Sequence, residues 1–215
     1  ILPTRQTSLV VDPPDGRVPV RPDAEARRDD ALKRSTEHPE FMSMWDRCIS
    51  RGVPGWIIPA GYNNAYQIVQ TPDYVVIHAE MIHDARIIPV NGRAPLPSTL
   101  RLIDGDSRGR WDGDTLVVET TNFTDRNWIA TSAASGRIKG IPQSTALTIV
   151  ERFTRTAHDR IDYEARIEDP AVFTRPWTLA FPLARDDEYR IYEYACHEGN
   201  RAMEGVLSGA RYQER

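Results

Sequence analysis

From Trp56 onward, apolar residues recur at every second position, and Gly, Asp, Asn and Pro cut the pattern into short runs. The clearest run is 160–168. There Ile161, Tyr163, Ala165 and Ile167 alternate with Arg160, Asp162, Glu164, Arg166 and Glu168, as expected when one face of a strand is wet. The same reasoning predicts strands at 66–70, 74–83, 87–90, 115–121, 146–154, 177–183 and 189–197. Short strands joined by tight turns predict an antiparallel, mainly β architecture. A closed or nearly closed β-barrel is favoured over an open sheet because closure removes exposed edges, and a sandwich is the alternative.

The segment before Trp56 reads differently. Residues 1–22 carry Pro3, Pro13, Pro14, Pro19 and Pro22, which block helix formation and predict an extended arm lying on the rest of the chain. Asp23 is suited to cap a polar surface helix running from Ala24 to about Thr36, a stretch rich in good helix formers. Phe41, Met44, Trp45 and Cys48 recur at helical spacing and predict a second short helix that ends before Gly52 and Pro54. Residues 23–215 are expected to form a single domain that includes both helices, because 215 residues suit one core and no repeat or linker divides them. With 27% charged residues and a net charge of -4, both signs interspersed, the chain has no field for a nucleic-acid backbone. No apolar run is long enough for a bilayer.

Residues 74–89 carry the strongest functional signal. Their flanks are apolar and β-branched, yet the middle holds His78, Glu80, His83, Asp84 and Arg86. Ionisable groups in such a strand need partners or a polar cavity. Regular alternation would put His78, Glu80, Asp84 and Arg86 on one face and Met81 and His83 on the other, unless a bulge at His83-Asp84 turns His83 back. An imidazole, carboxylates and a guanidinium in one row suit proton transfer, with Arg86 stabilising an enolate or alkoxide. A structural ion pair from Glu80 or Asp84 to Arg86 is the competing explanation.

A second block, 192–200, ends a predicted strand in a polar turn, where binding groups are commonly mounted. If that strand closes a barrel, Glu193 or His197 meets His78, Glu80 or His83. Such a set would suit a divalent ion, although no established metal-ligand spacing is present. Tyr62, Tyr66, Trp177, Tyr192 and Tyr194 are candidates to stack on a ring, and Asn64, Asn122 and Glu193 to hydrogen-bond it; for the aromatics, core packing is the alternative. Asp112-Gly113-Asp114 reads as a hairpin turn. The chain has no Gly-x-Ser-x-Gly elbow, phosphate loop or dinucleotide fingerprint.

Several blocks resemble a family of uncharacterised, mostly predicted-exported bacterial proteins. They are residues 6–17, 47–55, 59–64, Glu80-Met-Ile-His-Asp-Ala-Arg86, the Gly105–Phe123 stretch Gly-Asp-Ser-Arg-Gly-Arg-Trp-Asp-Gly-Asp-Thr-Leu-Val-Val-Glu-Thr-Thr-Asn-Phe, and Tyr192-Glu-Tyr-Ala-Cys-His-Glu-Gly-Asn200. The resemblance implies no specific activity. Its strand pattern is similar to that of lipocalin or calycin barrels, which hold one small ligand. The chain begins at Ile1 rather than Met, which fits a processed form from which an export signal is gone, and the expected location is periplasmic or secreted. In such a compartment the only two cysteines, Cys48 and Cys196, are expected to pair; two buried, inert thiols are the alternative.

The expected function is that of a small-molecule enzyme, a lyase, isomerase or hydrolase. It would act by acid-base chemistry on an aromatic or carbohydrate substrate, without a nucleotide cofactor and with a divalent metal as an option. A lipocalin-like carrier and an exported interaction module are the other classes.

Overall fold

The computed structural model describes residues 8–44, 46–130 and 140–214, so Trp45, part of the predicted second helix, lies outside the described residues. The protein is mainly β and antiparallel. Its largest sheet has six strands in the order β1 (Val10–Asp12), β11 (Trp177–Ala184), β10 (Arg160–Glu168), β9 (Thr148–Ala157), β6 (Thr115–Thr121) and β5 (Asp106–Asp112). A second sheet joins β2 (Tyr66–Gln70), β3 (Tyr74–Ala79) and β4 (Ala85–Pro89), and a small ladder pairs β7 (Trp128–Ala130) with β8 (Gly140–Pro142). Among the described residues these ladders do not close into a ring.

Alternation places one face of every long strand in the core. The register sets Leu116 beside Phe153, Phe153 beside Tyr163 and Tyr163 beside Phe181; two rows along, Ile149 faces Ile167 and Ile167 faces Trp177. All of these side chains are buried. Val75, Ile77 and Ile88 of the small sheet complete the same core. Burying an aliphatic or aromatic side chain contributes about 1.5–3 kcal/mol, so this shared face is what holds the two sheets together. Gly109 makes the close approach feasible: a Cβ there would stand 2.8 Å from Val90 and 2.9 Å from Ile88, so β4 lies where only a glycine in β5 leaves room.

The N-terminal arm lies on the sheet as expected from residue 8 onward, adding β1 beside β11 and bridging Val20 to Phe173. Helix α1 (Pro22–Lys33) starts slightly earlier than predicted. Arg21 occupies the cap position, Pro22 the first helical one, and Asp23 the first turn, where its charge favours the helix dipole without capping. The predicted second helix is a single 3₁₀ turn at Pro39–Phe41 followed by turns.

Two strand predictions are corrected. The strand from Tyr74 ends at Ala79, because residues 80–83 form a tight turn with φ of 65° at Ile82 and 56° at His83. Residues 189–197 form no strand. Their alternation has no sheet to serve, since all of them are exposed or half-buried. Helix α2 (Ala202–Gln213) was not anticipated, although Met203, Val206, Leu207 and Ala210 are spaced for a helical stripe. No helix among the described residues is long and apolar enough to cross a membrane.

Candidate functional site

The break at Ala79 divides the predicted row. In β3, His78 points away from the core, whereas Arg86 pairs with Ile77 and shares its buried face. The parity argument therefore fails after residue 79, and Arg86 does not share a face with His78. Its guanidinium crosses to the large sheet. Nη2 bonds Glu151 Oε2 at 2.5 Å and Thr120 Oγ1 at 2.8 Å, and Nε donates to Ser107 Oγ at 3.0 Å. Tyr163 donates its hydroxyl to the other oxygen of Glu151 at 2.8 Å. Neither Glu80 nor Asp84 is the partner of Arg86; that place belongs to Glu151, which is fully buried. Burial opposes the charge on Arg86, but the adjoining carboxylate holds its pKa above the usual arginine value; burial and the same carboxylate push Tyr163 well up.

Glu80 occupies a separate place. It opens the turn after β3, is 1% exposed, and its backbone N–H donates to the carbonyl of Ala65. Its Oε1 accepts from the Tyr189 hydroxyl at 2.6 Å and from the Tyr192 N–H at 3.4 Å, while its buried Oε2 has no hydrogen-bond partner. The carboxylate in turn raises the Tyr189 hydroxyl to about 12. His83 projects from the same turn and meets His78 edge to face, with ring centroids 4.5 Å apart. Asp84 is exposed at the end of the turn.

The Tyr189 hydroxyl and the Tyr192 backbone meet this carboxylate, and the same segment takes part in two tyrosine pairs. Tyr189 and Tyr192 meet edge to face at 6.1 Å, and Tyr62 and Tyr194 stack at 6.3 Å with hydroxyls 3.3 Å apart. Tyr62, Tyr189 and Tyr192 are 52%, 44% and 67% exposed, so the site presents open ring faces. A hollow lined by Ser50, Arg51, Trp56, Ala79, Met81 and Asp84 has room for about one water molecule. At its base Ser50 donates to Asp104 at 2.6 Å and accepts from the Trp56 indole at 3.2 Å, and burial pushes Asp104 up from the usual carboxylate range. Burial pushes the Arg51 guanidinium down.

The disulfide is present. Cys48 and Cys196 are joined across 148 residues, with Cα atoms 5.8 Å apart, and the bond pins the segment that carries Tyr189, Tyr192 and Tyr194. Other predicted members lie elsewhere. His197 and Glu193 are exposed. Asn64 closes its own loop onto Ala60, and Asn122 donates to the carbonyl of Leu96. Trp177 is 1% exposed and packs on Phe173 in the core. Tyr66 is half-buried at the start of β2, and burial raises its hydroxyl to about 12. No cluster of three or more His, Cys, Asp or Glu among the described residues is placed to hold a metal ion.

Sequence reasoning missed Tyr189 and Glu151. Glu151 had a signal: it interrupts the apolar row Leu147, Ile149, Phe153 at a position of inward parity. Tyr189 had none, because the contact depends on how an irregular segment crosses the domain. Comparison with protein-family models, curated proteins and solved structures finds no match.

Proposed function

We propose that the chain is an enzyme that performs acid-base chemistry on a small aromatic or carbohydrate molecule, with Glu80 as the proton-transferring group. The observation that carries this reading is the Glu80 carboxylate itself. It is buried, one oxygen is held by Tyr189 and Tyr192, and the other has no partner. A buried acceptor without a partner costs about 1–3 kcal/mol, and such groups are retained where they do work. His83 lies on the turn that Glu80 opens, and with His78 of β3, which its ring meets, it supplies a second proton-carrying group. The exposed rings of Tyr62, Tyr189 and Tyr192 supply a platform for a planar or sugar ring. Arg86 has no part in this chemistry and serves the pairing of the sheets.

Residues 189–194, whose Tyr189 and Tyr192 hold the other oxygen, are all exposed or half-buried. The reaction class is a lyase, isomerase or hydrolase step needing one proton donor and acceptor. The same reading takes the two sheets as parts of an open, lipocalin-like barrel. Supporting it, β4 lies against β5 at Gly109, which brings the six-stranded and three-stranded sheets together at one side. A long-range disulfide fits an exported protein of the family that the sequence blocks resemble.

The test is turnover of a panel of aryl glycosides and small aromatic hydroxy-carbonyl compounds by the wild type and Glu80→Gln. The substitution should keep binding and lower turnover by about 100-fold or more. Equal turnover in both proteins would overturn the reading. Ligand binding without turnover in either would point to a carrier.

A further inference from the structure

Strand β2 is an edge with free hydrogen-bonding groups, and the register shows which residues carry them. The N–H of Glu80 donates to Ala65 and the N–H of Thr71 donates to Tyr74, so odd-numbered residues of this strand face β3. Tyr66, Ile68 and Gln70 therefore direct their N–H and C=O groups outward. Among the described residues nothing pairs with them.

Several other edges are protected. β1 is three residues long, has a register shift and runs into Pro13 and Pro14. β5 carries Asp106, Arg108, Arg110 and Asp112 and is flanked by β4. β8 ends in Pro142. β2, Tyr-Gln-Ile-Val-Gln, has no charge, no proline and no bulge, and Ile68 and Val69 are 41% and 44% exposed. Natural sheets block such edges unless a partner covers them. On the outer face Val69 adjoins Val76, which adjoins Ile87, itself 62% exposed, so an apolar row continues inward from the edge.

We infer that β2 pairs antiparallel with β2 of a second copy of this chain, centred on Ile68. The geometry is self-complementary. Ile68 opposes the partner's Ile68 and Tyr66 opposes Gln70, so each outward-facing residue meets another and about six backbone hydrogen bonds form. Between them Gln67 faces Val69. No charge opposes a like charge in this register, and two small sheets become one continuous sheet. This inference is independent of the reading of Glu80.

Sedimentation of the intact, disulfide-bonded protein tests it, with Ile68→Pro and Ile68→Lys alongside. The wild type should sediment at twice the chain mass of 24.4 kDa. Proline at 68 removes an outward N–H and spares the ladder to β3, so the variant should be monomeric with unchanged circular dichroism. Lysine should do the same by charge apposition. A monomeric wild type, or folded variants that remain dimeric, would overturn the inference. Amide exchange of the wild type reads the same point without a substitution. Ile68 and Gln70 should lose protection on dilution while Gln67 and Val69 keep it, and concentration-independent exchange at Ile68 and Gln70 would overturn the pairing.

Discussion

Arg86 and Glu151 come from different sheets and meet in the core, where both side chains are almost completely shielded from water. Glu151 lies in register with Val118 on one side and Ala165 on the other, a lone carboxylate in an apolar row. Its two oxygens are taken by Arg86 and Tyr163. The pair therefore fixes how the small sheet sits over the large one.

Removing one partner leaves the other charged and buried. Glu151→Gln or Arg86→Met should each lower the unfolding free energy by about 3–5 kcal/mol, measured by urea denaturation. The double variant Arg86→Met with Glu151→Leu should recover much of that loss, since a well-packed apolar pair avoids the desolvation cost. Near-native stability in both single variants would show that the pair is not what joins the layers.

The sequence made the sheets readable where burial is one-sided. Strands at 66–70, 115–121 and 160–168 match their predicted bounds. The turn at Gly113 lies where the Asp-Gly-Asp run put it, between Asp112 and Thr115. The strand Asp106–Asp112 is hidden in the sequence because Gly109 resembles punctuation; the physical role of this glycine is to admit β4. The row from His78 to Arg86 failed for a related reason. Period-two counting assumes one strand, and Ile82 and His83 adopt positive φ, which resets the parity. The segment 189–197 alternates without belonging to a sheet. Pairing partners distant in sequence, such as Tyr189 with Glu80, leave no local periodicity to detect.

The disulfide should govern the C-terminal segment more than the core. After β11 every described residue is exposed or half-buried, and its contacts with the body include Tyr189 to Glu80, Tyr194 to Tyr62 and Arg211 to the carbonyl of Glu37. In the double variant Cys48→Ala with Cys196→Ala, trypsin should cut rapidly at Arg185 and Arg190 while the β-sheets stay folded. Closing so long a loop also stabilises the whole chain by up to about 5 kcal/mol in the chain-entropy account, so the denaturation midpoint should fall as well. Cleavage no faster than in the wild type would mean that the segment is anchored by other contacts.

Alkaline pH should weaken the fold. Burial raises the hydroxyl of Tyr66 to about 12 and that of Tyr194 likewise, and the bond to Glu80 raises Tyr189 to about 12, all from an ordinary value of 10.0. The folded chain thus holds these protons more tightly than the unfolded one. The resulting stability is intact below pH 10.0 and is lost as pH rises through about 12. Tyr66→Phe should flatten the alkaline limb of the stability profile, followed by tyrosinate absorbance and circular dichroism together. A profile identical to that of the wild type would show that ionisation of Tyr66 is not linked to unfolding.

Gly109 supplies the last test, because it separates packing from backbone conformation. Its φ is not in the left-handed region, so alanine is tolerated by the strand itself. The added methyl would stand 2.8 Å from Val90, 2.9 Å from Ile88 and 3.3 Å from Leu116, closer than side chains accept. Ile88 is fully buried and has nowhere to go, so β4 must move away from β5. Gly109→Ala should therefore cost about 1–3 kcal/mol by overpacking, and Gly109→Val more. Gly113→Ala, where a Cβ meets nothing, reports only the cost of its φ of 58°. A tolerated Gly109→Ala, as stable as the wild type in urea, would show that the two sheets slide freely at this contact; a loss in the stated range, with native circular dichroism retained, would identify Gly109 as the position where their separation is fixed.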